Sequence, residues 1–146
     1  MKRILFSLTL FLSAAWLLAQ VPQPKREFRG AWIQAVNGQF QGMTPDSMRQ
    51  NLTHQLDELR ACGINVIIFQ VRPECDALYA SPYEPWSRFL SGKQGEAPSP
   101  YWDPLQWMIE QCHNRGMELH AWINPFRAKT KGTKDLAPLH PYVQHP

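Results

Sequence analysis

The fold of this chain is decided by the stretch CGINVIIFQVRPECD at residues 62–76. Gly63 is typical of a helix end, and the apolar run that follows it predicts a strand from Asn65 to Arg72. A strand that is apolar on both faces belongs to a parallel sheet covered by helices. This strand ends in Gln, Arg, Glu and Asp, and the carboxyl ends of parallel strands are where such sheets bind ligands and carry out chemistry.

Two further segments are predicted to be strands of the same sheet. Residues 116–127 repeat the order of a glycine, an apolar run and a polar ending, and predict a strand from Glu118 to about Asn124. Residues 28–36 predict the first strand. Three such strands would leave an unpaired apolar edge, which folded proteins avoid. We therefore expect an α/β fold, the N-terminal part of a (β/α)8 TIM barrel with two crossover helices; a complete three-stranded sandwich is the alternative.

The two crossover helices have clear start and stop signals. Thr44-Pro45-Asp46 supplies an N-cap hydroxyl, a proline at the first helical position and an acid in the first turn, and Gly63 ends this helix. The second helix begins at Asp103-Pro104, with Gln106 as its capping-box partner, and ends at Gly116. Apolar residues at helical spacing predict the buried faces, which are Met48, Leu52, Leu56 and Leu59 in the first helix and Leu105, Met108, Ile109 and Cys112 in the second.

Two long segments show no clear element. Residues 73–102 are rich in Pro, Ser, Gly and aromatic residues, and loops of this length inside a compact domain tend to be functional. Residues 128–146 are basic and contain several prolines. We expect both segments to lack regular structure.

Residues 1–20 predict a secretory signal peptide rather than part of the fold. Lys2 and Arg3 precede an apolar run from Ile4 to Ala19, which is too short and wrongly flanked for a stable membrane span. We therefore expect export to the periplasm or the extracellular space, with the barrel domain over residues 26–146. A retained membrane anchor is the alternative.

Composition and motif content exclude several classes of function. A chain with 44% hydrophobic and 18% charged residues is typical of a folded protein rather than a disordered one. The formal net charge of +3 includes Lys2 and Arg3, and the other basic residues form no patch that predicts nucleic-acid binding. The sequence contains no Gly-rich phosphate loop, no nucleophile elbow and no Cys/His spacing of a zinc site. We therefore expect neither a cofactor nor a metal.

Polar and aromatic residues are predicted to share one face of the sheet. Because side chains alternate along a strand, Gln70 lies on the same face as Arg72, and Trp122 on the same face as Asn124. Trp32 holds the corresponding position on the first strand. Amides, a guanidinium and flat rings are groups that hold hydroxyl-rich carbohydrates. We therefore predict that these five residues bind a glycan substrate at the rim of the barrel.

Glu74 and Asp76 are the candidate catalytic residues. Glycosidic cleavage requires two carboxylates, one acting as an acid and the other as a base or nucleophile. Either Glu74 or Asp76 is a candidate for one of them; two residues this close on one loop rarely span a sugar, so the other carboxylate is expected beyond Pro146. Glu74 is preferred because it lies nearer the end of the second strand; the alternative is that both residues bind Arg72 or cap a loop. Arg127 is predicted either to clamp a substrate or to pair with one of these carboxylates. His120 is expected to be a hydrogen-bonded core group rather than a general base.

Several ordered motifs resemble the bacterial glycosyl hydrolase-like 10 domain. The matching segments are Phe28–Trp32, Gly63–Asn65, Phe69–Pro73, Asp76–Tyr79, Glu84–Ser87, Tyr101–Leu105 and His120–Arg127. They cover roughly residues 26–127 in order and with suitable spacing. The rim residues that match the family pattern are Gln70, Arg72, Asp76, Trp122, Asn124 and Arg127, whereas Glu74 stands at a position that varies more.

The resemblance implies a TIM barrel of exported bacterial proteins that act on glycans, some of which cleave peptidoglycan strands stripped of their stem peptides. It also implies that a fourth strand with an aspartate-rich end lies beyond Pro146. We therefore expect an exported glycoside hydrolase that acts on a cell-envelope glycan. The first alternative is a non-catalytic glycan-binding barrel. The second is a deacetylase, which would need a His/Asp metal set that these residues lack.

Overall fold

The computed structural model describes residues 27–146, so the predicted signal peptide lies outside the described residues. Three strands form one sheet in the order β1-β2-β3, and they are β1 (Gly30–Ile33), β2 (Val66–Arg72) and β3 (Glu118–Ile123). Both strand pairs are parallel. The predicted parallel sheet is therefore confirmed, and the arrangement is that of part of an α/β barrel. Within the described residues, no helix combines the length and the apolar character that a bilayer crossing requires.

In residues 27–146 four helices accompany the sheet, namely α1 (Pro45–Ala61), α2 (Arg88–Ser91), α3 (Pro104–Asn114) and α4 (Pro141–Gln144). The two long helices confirm the predicted crossovers. The two short ones lie in segments that were predicted to lack structure, so that prediction was wrong there. Ser87 caps α2 by accepting from the Phe89 amide at 3.3 Å, and His140 caps α4 in the same way. Helices of four residues are too short to leave a periodic signal in the sequence.

The first strand is shorter than predicted. It was expected over residues 28–36, but it ends at Ile33. Two residues later the Ala35 amide donates to the side-chain oxygen Oε1 of Gln70 at 3.0 Å instead of to a backbone carbonyl. The Gln70 side chain of β2 thus takes the place of a backbone acceptor at the point where the chain leaves the sheet after β1.

The helix starts follow their sequence signals, with one difference. Thr44 accepts from the Ser47 amide at 3.2 Å at the start of α1, and Asp103 accepts from the Gln106 amide at 3.0 Å at the start of α3. The Gln106 side chain does not return to the cap, because its Nε2 donates to Glu110 at 2.7 Å. The predicted capping box is therefore only half formed.

The hydrophobic core lies between the sheet and the two long helices. It contains the predicted helix residues Met48, Leu52, Leu56, Met108 and Cys112, together with Ile33, Ile67, Phe69 and Val71 from the sheet. Leu59 and Leu105 pack against this core at its margin. Burying each large apolar side chain contributes about 1.5–3 kcal/mol to the free energy of folding, so this layer holds the sheet against the helices. The opposite face of the sheet is left to carry the polar groups.

Candidate active site

The sheet face opposite the core carries the predicted aromatic residues. The rings of Trp32 and Trp122 lie with their centroids 5.0 Å apart and tilted by 57°. Trp32 is paired in register with Ile68, and Trp122 with Gln70, which confirms the predicted alternation. His120 shares this face but its side chain is half exposed, so the prediction of a core group was wrong. The two tilted rings, one from each strand beside β2, present apolar ring faces of the kind that sugar rings stack on.

Gln70 has a structural contact that the sequence did not predict. Its side chain is 3% exposed and its Oε1 accepts from the Ala35 amide. This hydrogen bond fixes the loop after β1 to the end of β2. Any contact of Gln70 with a substrate would therefore involve its Nε2.

Arg72 is held by Glu84, a residue from the loop after β2. The Nε atom of Arg72 donates to both carboxylate oxygens of Glu84 at 2.8 and 2.7 Å, and Nη2 bonds the same carboxylate. Its Nη1 donates to the Asn124 carbonyl at 2.5 Å. Hydrogen bonding to Glu84, opposed by burial, raises the pKa of Arg72 above its ordinary value. The carboxylate that binds Arg72 is therefore Glu84, and the alternative of Glu74 or Asp76 is wrong.

Asn124 shapes the chain after β3. Its Oδ1 accepts from the backbone amides of Phe126 at 3.3 Å and Arg127 at 3.1 Å. This turn directs the next residues over the carboxyl edge of the sheet. Arg127 is exposed and lies at a cleft near this edge of the sheet. The ion pair of Arg127 with Glu74 or Asp76, which was the alternative to a substrate clamp, is not formed.

Glu74 is enclosed by the loops and by residues 128–146. Only 1% of it is exposed, and its carboxylate accepts from Thr133 Oγ1 at 2.7 Å and from Arg88 Nε at 3.3 Å. Its backbone carbonyl contacts His140 Nε2 at 2.9 Å. Burial alone would raise the pKa of Glu74, but hydrogen bonds from Thr133, Thr130 and Arg88 together lower it below the ordinary value. Glu74 is therefore an ionised carboxylate at neutral pH.

Asp76 is fully buried beside Glu74. Its Oδ1 accepts from the Glu74 amide at 3.2 Å, and its Oδ2 accepts from Gln94 Nε2 at 3.1 Å. Burial raises the pKa of Asp76, although hydrogen bonds from Gln94 and Ser87 oppose the change. Two neighbouring carboxyl groups thus have pKa values displaced in opposite directions, the pattern by which enzymes separate an acid from a base.

A cleft of about 840 Å³ opens where these loops meet. Glu74, Arg88, Arg127 and Thr130 line one part of it, and Phe40 and Trp102 line another. This volume is within the range of small-ligand pockets. The cleft lies at the loops that follow the carboxyl ends of the strands, which is where parallel α/β sheets bind their ligands.

Sequence reasoning missed the residues that hold Arg72, Glu74 and Asp76 in place. These are Glu84, Arg88, Gln94, Thr133 and His140. The first three lie in the loop that was predicted to be functional, and Glu84 falls within a motif used for the family resemblance. Thr133 and His140 lie in residues 128–146, where no sequence signal marked them.

Comparison with known protein families fits this geometry. The family model described as glycosyl hydrolase-like 10 matches residues 27–146. The chain belongs to this family. The resemblance stated from the sequence motifs is therefore confirmed, and the family is one of glycosidase-like proteins.

Two curated relatives carry hydrolase names. The chain is 38% identical over 130 residues to the protein named glycosyl hydrolase YngK from Bacillus subtilis strain 168, covering 85% of this chain and 25% of that protein. It is 34% identical over 148 aligned positions to glycosyl hydrolase DigH from Escherichia coli K12, covering 87% of this chain and 33% of that protein. The chain thus spans a quarter to a third of the length of these relatives.

Proposed function

We propose that this glycosyl hydrolase-like 10 chain forms part of the active centre of an exported glycoside hydrolase that acts on a bacterial cell-envelope glycan. Peptidoglycan strands that lack stem peptides are the proposed substrate. The observation that carries the proposal is the cleft at the carboxyl edge of the sheet, lined by the ionised carboxylate of Glu74. The hydrolase names of relatives at 34% and 38% identity support the reaction class.

In this proposal each part of the site has a separate role. Trp32 and Trp122 stack against sugar rings, and Arg72, held by Glu84, supports the rim with Asn124. Glu74 acts as the base or nucleophile, because its lowered pKa keeps it ionised. Asp76 is the alternative candidate for this one carboxylate, but it is fully buried and does not line the cleft.

A non-catalytic glycan-binding barrel is the second candidate, and one observation favours it. Both carboxylates are almost completely enclosed, and each is engaged by protein hydrogen-bond donors. In this case Glu74 and Asp76 stabilise the loops through their hydrogen bonds, and Trp32 and Trp122 bind a glycan that is not cleaved. The two candidates differ in whether loss of a carboxylate changes turnover.

The test compares Glu74→Gln and Asp76→Asn in the purified full-length protein with denuded glycan strands. Loss of proton transfer or nucleophilic attack predicts a kcat at least ~100-fold lower in Glu74→Gln or in Asp76→Asn, at unchanged thermal stability. Glu96→Gln is the matched control, because Glu96 lines the same cleft but pairs with Lys93 at 2.6 Å, and it is expected to keep near-normal kcat. Near-normal turnover in both test variants would place the acid and base elsewhere, and glycan binding without cleavage by the unmodified protein would favour the binding barrel.

Export forms a separate part of the proposal. The basic start and apolar run at residues 1–20 support a mature N-terminus at about Gln20 or Val21. Mass spectrometry of the protein recovered from its native compartment measures this directly. An intact Met1 would argue for a retained anchor.

A further inference from the structure

Residues 128–146 are held over the loop after β2 by hydrogen bonds rather than by apolar burial. Thr133 Oγ1 donates to Glu74 Oε2 at 2.7 Å, and the Ala137 amide donates to Gln94 Oε1 at 3.0 Å. No residue of this segment packs in the hydrophobic core between the sheet and the long helices. Segments with few buried apolar contacts open at a low free-energy cost. The segment therefore stays closed only while its polar contacts hold.

His140 holds this segment through both of its ring nitrogens, and its side chain is fully buried. Its Nε2 lies 2.9 Å from the backbone carbonyl oxygen of Glu74, which can only accept, so Nε2 carries the hydrogen. Its Nδ1 lies 3.1 Å from the backbone amide of Tyr142, which can only donate, so Nδ1 carries none. The two partners thus require a neutral ring in one tautomer.

A second proton on the His140 ring has no place in this arrangement. It would sit on Nδ1 and face the hydrogen of the Tyr142 amide, which would remove the N-cap of α4. In the part of the chain that the structure describes, no carboxylate oxygen lies within ion-pair distance of either ring nitrogen. A buried charge without a partner is costly. The ring must therefore leave its buried position before it becomes charged.

The charged and titratable groups around His140 do not change this conclusion. The neighbouring elements contribute Glu74, Cys75 and Asp76 from the loop after β2, and Arg88 from α2. The groups of its own segment are all exposed, and they are Lys129, Lys131, Lys134, Asp135, Tyr142 and His145. The carboxylate of Glu74 would favour a charged ring, but it already accepts from Arg88 and Thr133.

We infer that His140 is a positioning residue that keeps residues 128–146 closed over Glu74 only while its ring is neutral. Its effect on Glu74 as a catalytic group rests on the proposed function, whereas the closure itself does not. Histidine is the side chain whose charge ordinarily changes between about pH 5 and 8. Because only the open segment can take up the second proton, a falling pH favours opening, by up to about tenfold for each pH unit. Opening withdraws the Thr133 hydroxyl from Glu74 and moves Thr130 away from the cleft that it lines.

Hydrogen–deuterium exchange of the full-length protein, followed by mass spectrometry from about pH 8 to about pH 5.5, measures this opening. Protection factors are corrected for the pH dependence of the intrinsic exchange rate. We expect peptides from residues 128–146 to lose protection by about tenfold or more across this range. Peptides from β2 are expected to keep theirs, because that strand lies in the core. Glu74 stays ionised over the whole range, since its pKa is held below the ordinary value.

Two variants assign the pH response to His140. His140→Asn keeps an acceptor for the Tyr142 amide, because asparagine is a good N-cap, and its amide does not titrate. His140→Gln has a longer amide that can donate to the Glu74 carbonyl and does not titrate either. In both variants the protection of residues 128–146 is expected to change by less than about twofold across the pH range.

His145→Gln is the matched control. His145 lies five residues further along the same segment, but its side chain is exposed. Its charge can therefore change without opening the segment, and this variant is expected to keep the full pH response of the parent protein. A His140 variant that has lost protection at every pH would support the inference as well, because it would identify the missing contact as one that holds the segment closed.

Three results would overturn the inference. They are protection of residues 128–146 that does not change with pH in the parent protein, a segment that is already unprotected at pH 8, and a pH response that survives in either His140 variant. Failure of the proposed hydrolase function is a different result, seen as no turnover of denuded glycan strands. Because hydrogen exchange reports closure alone, a pH-dependent closure in a protein without turnover would contradict the hydrolase and leave the role of His140 in closing the segment standing.

Discussion

Replacing Thr133 with valine tests how residues 128–146 hold the candidate carboxylate. The two side chains have nearly the same shape, but valine lacks the hydroxyl that donates to Glu74 Oε2 at 2.7 Å. Thr133 is 9% exposed and Glu74 1% exposed, so water does not readily replace the lost donor. A hydrogen bond to a buried charged group contributes about 1.5–3 kcal/mol. Because Arg88 still donates to the same carboxylate, we expect a loss near the lower end, about 1.5 kcal/mol.

The pH dependence of this loss follows from the pKa of Glu74. Burial opposes ionisation, but the hydrogen bonds hold the folded-state pKa below the unfolded value. Glu74 therefore contributes stability that is fully present above the unfolded pKa of about 4.3 and is lost as pH falls through the lower folded-state pKa. In Thr133→Val one of the groups that lower this pKa is absent. The unfolded-state pKa is the same in both proteins, so the difference in unfolding free energy between them should be largest at neutral pH and shrink as pH falls through the folded-state pKa of Glu74 in the variant and then in the parent, to a neutral hydrogen bond of about 0.5–1.5 kcal/mol.

Urea denaturation of the full-length protein at a series of pH values measures both quantities. Thr53→Val in α1 is the matched control, because it makes the same chemical change on the helix that joins β1 to β2 and is expected to show no such pH dependence. A Thr133→Val difference that is near zero at pH 7, or that grows as pH falls, would refute the argument. Either result would mean that the Thr133 hydroxyl does not stabilise an ionised Glu74.

Three further substitutions test individual contacts. Gln70→Leu should destabilise the protein by about 1–3 kcal/mol, because the Ala35 amide loses its acceptor; an unchanged urea midpoint would contradict this. Glu84→Gln removes the charge that fixes Arg72 at the rim, so it should lower the kcat for glycan turnover more than it lowers the unfolding free energy. If kinetic and denaturation assays show a loss of stability alone, the Arg72–Glu84 pair is only structural. Asp103→Ala should lower the urea midpoint by more than a lost N-cap of about 1 kcal/mol does, because Asp103 Oδ2 also accepts from the Ala80 amide at 2.8 Å; Asp103→Asn should keep the cap but lose this second bond, since its side-chain nitrogen cannot accept.

The sheet and the long helices were predictable because their signals are local. The apolar run of β2 and the glycines that precede β2 and β3 specify parallel strands without reference to distant residues. The caps at Thr44 and Asp103 likewise depend on bonds that reach only three residues along the chain. The length of β1 was not predictable in this way, because its end is set by the side chain of Gln70, 35 residues away.

The candidate site was only partly predictable, because the sequence identifies which side chains lie at the rim of the sheet but not which residues those side chains contact. Trp32 and Trp122 were placed correctly by the alternation of side chains along a strand. Glu74 and Asp76 were considered as partners of Arg72 only as the alternative to a catalytic role, and the structure has Glu84 there instead, 12 residues away. Charge alone could not distinguish these three carboxylates, since the choice depends on the path of a long irregular loop.

The contacts of Glu74 and Gln94 indicate that residues 128–146 belong to the site rather than forming a connection beyond it. Thr133 reaches Glu74 across 59 residues, and the Ala137 amide donates to Gln94 Oε1 at 3.0 Å across 43. Gln94 in turn donates to Asp76, so one segment supports both candidate carboxylates. In a parallel sheet the loops after successive strands meet at one edge, and polar contacts between those loops fix the position of each catalytic group. A change in this segment is therefore expected to alter the surroundings of both candidate carboxylates together, which explains why neither carboxylate can be understood from β2 alone.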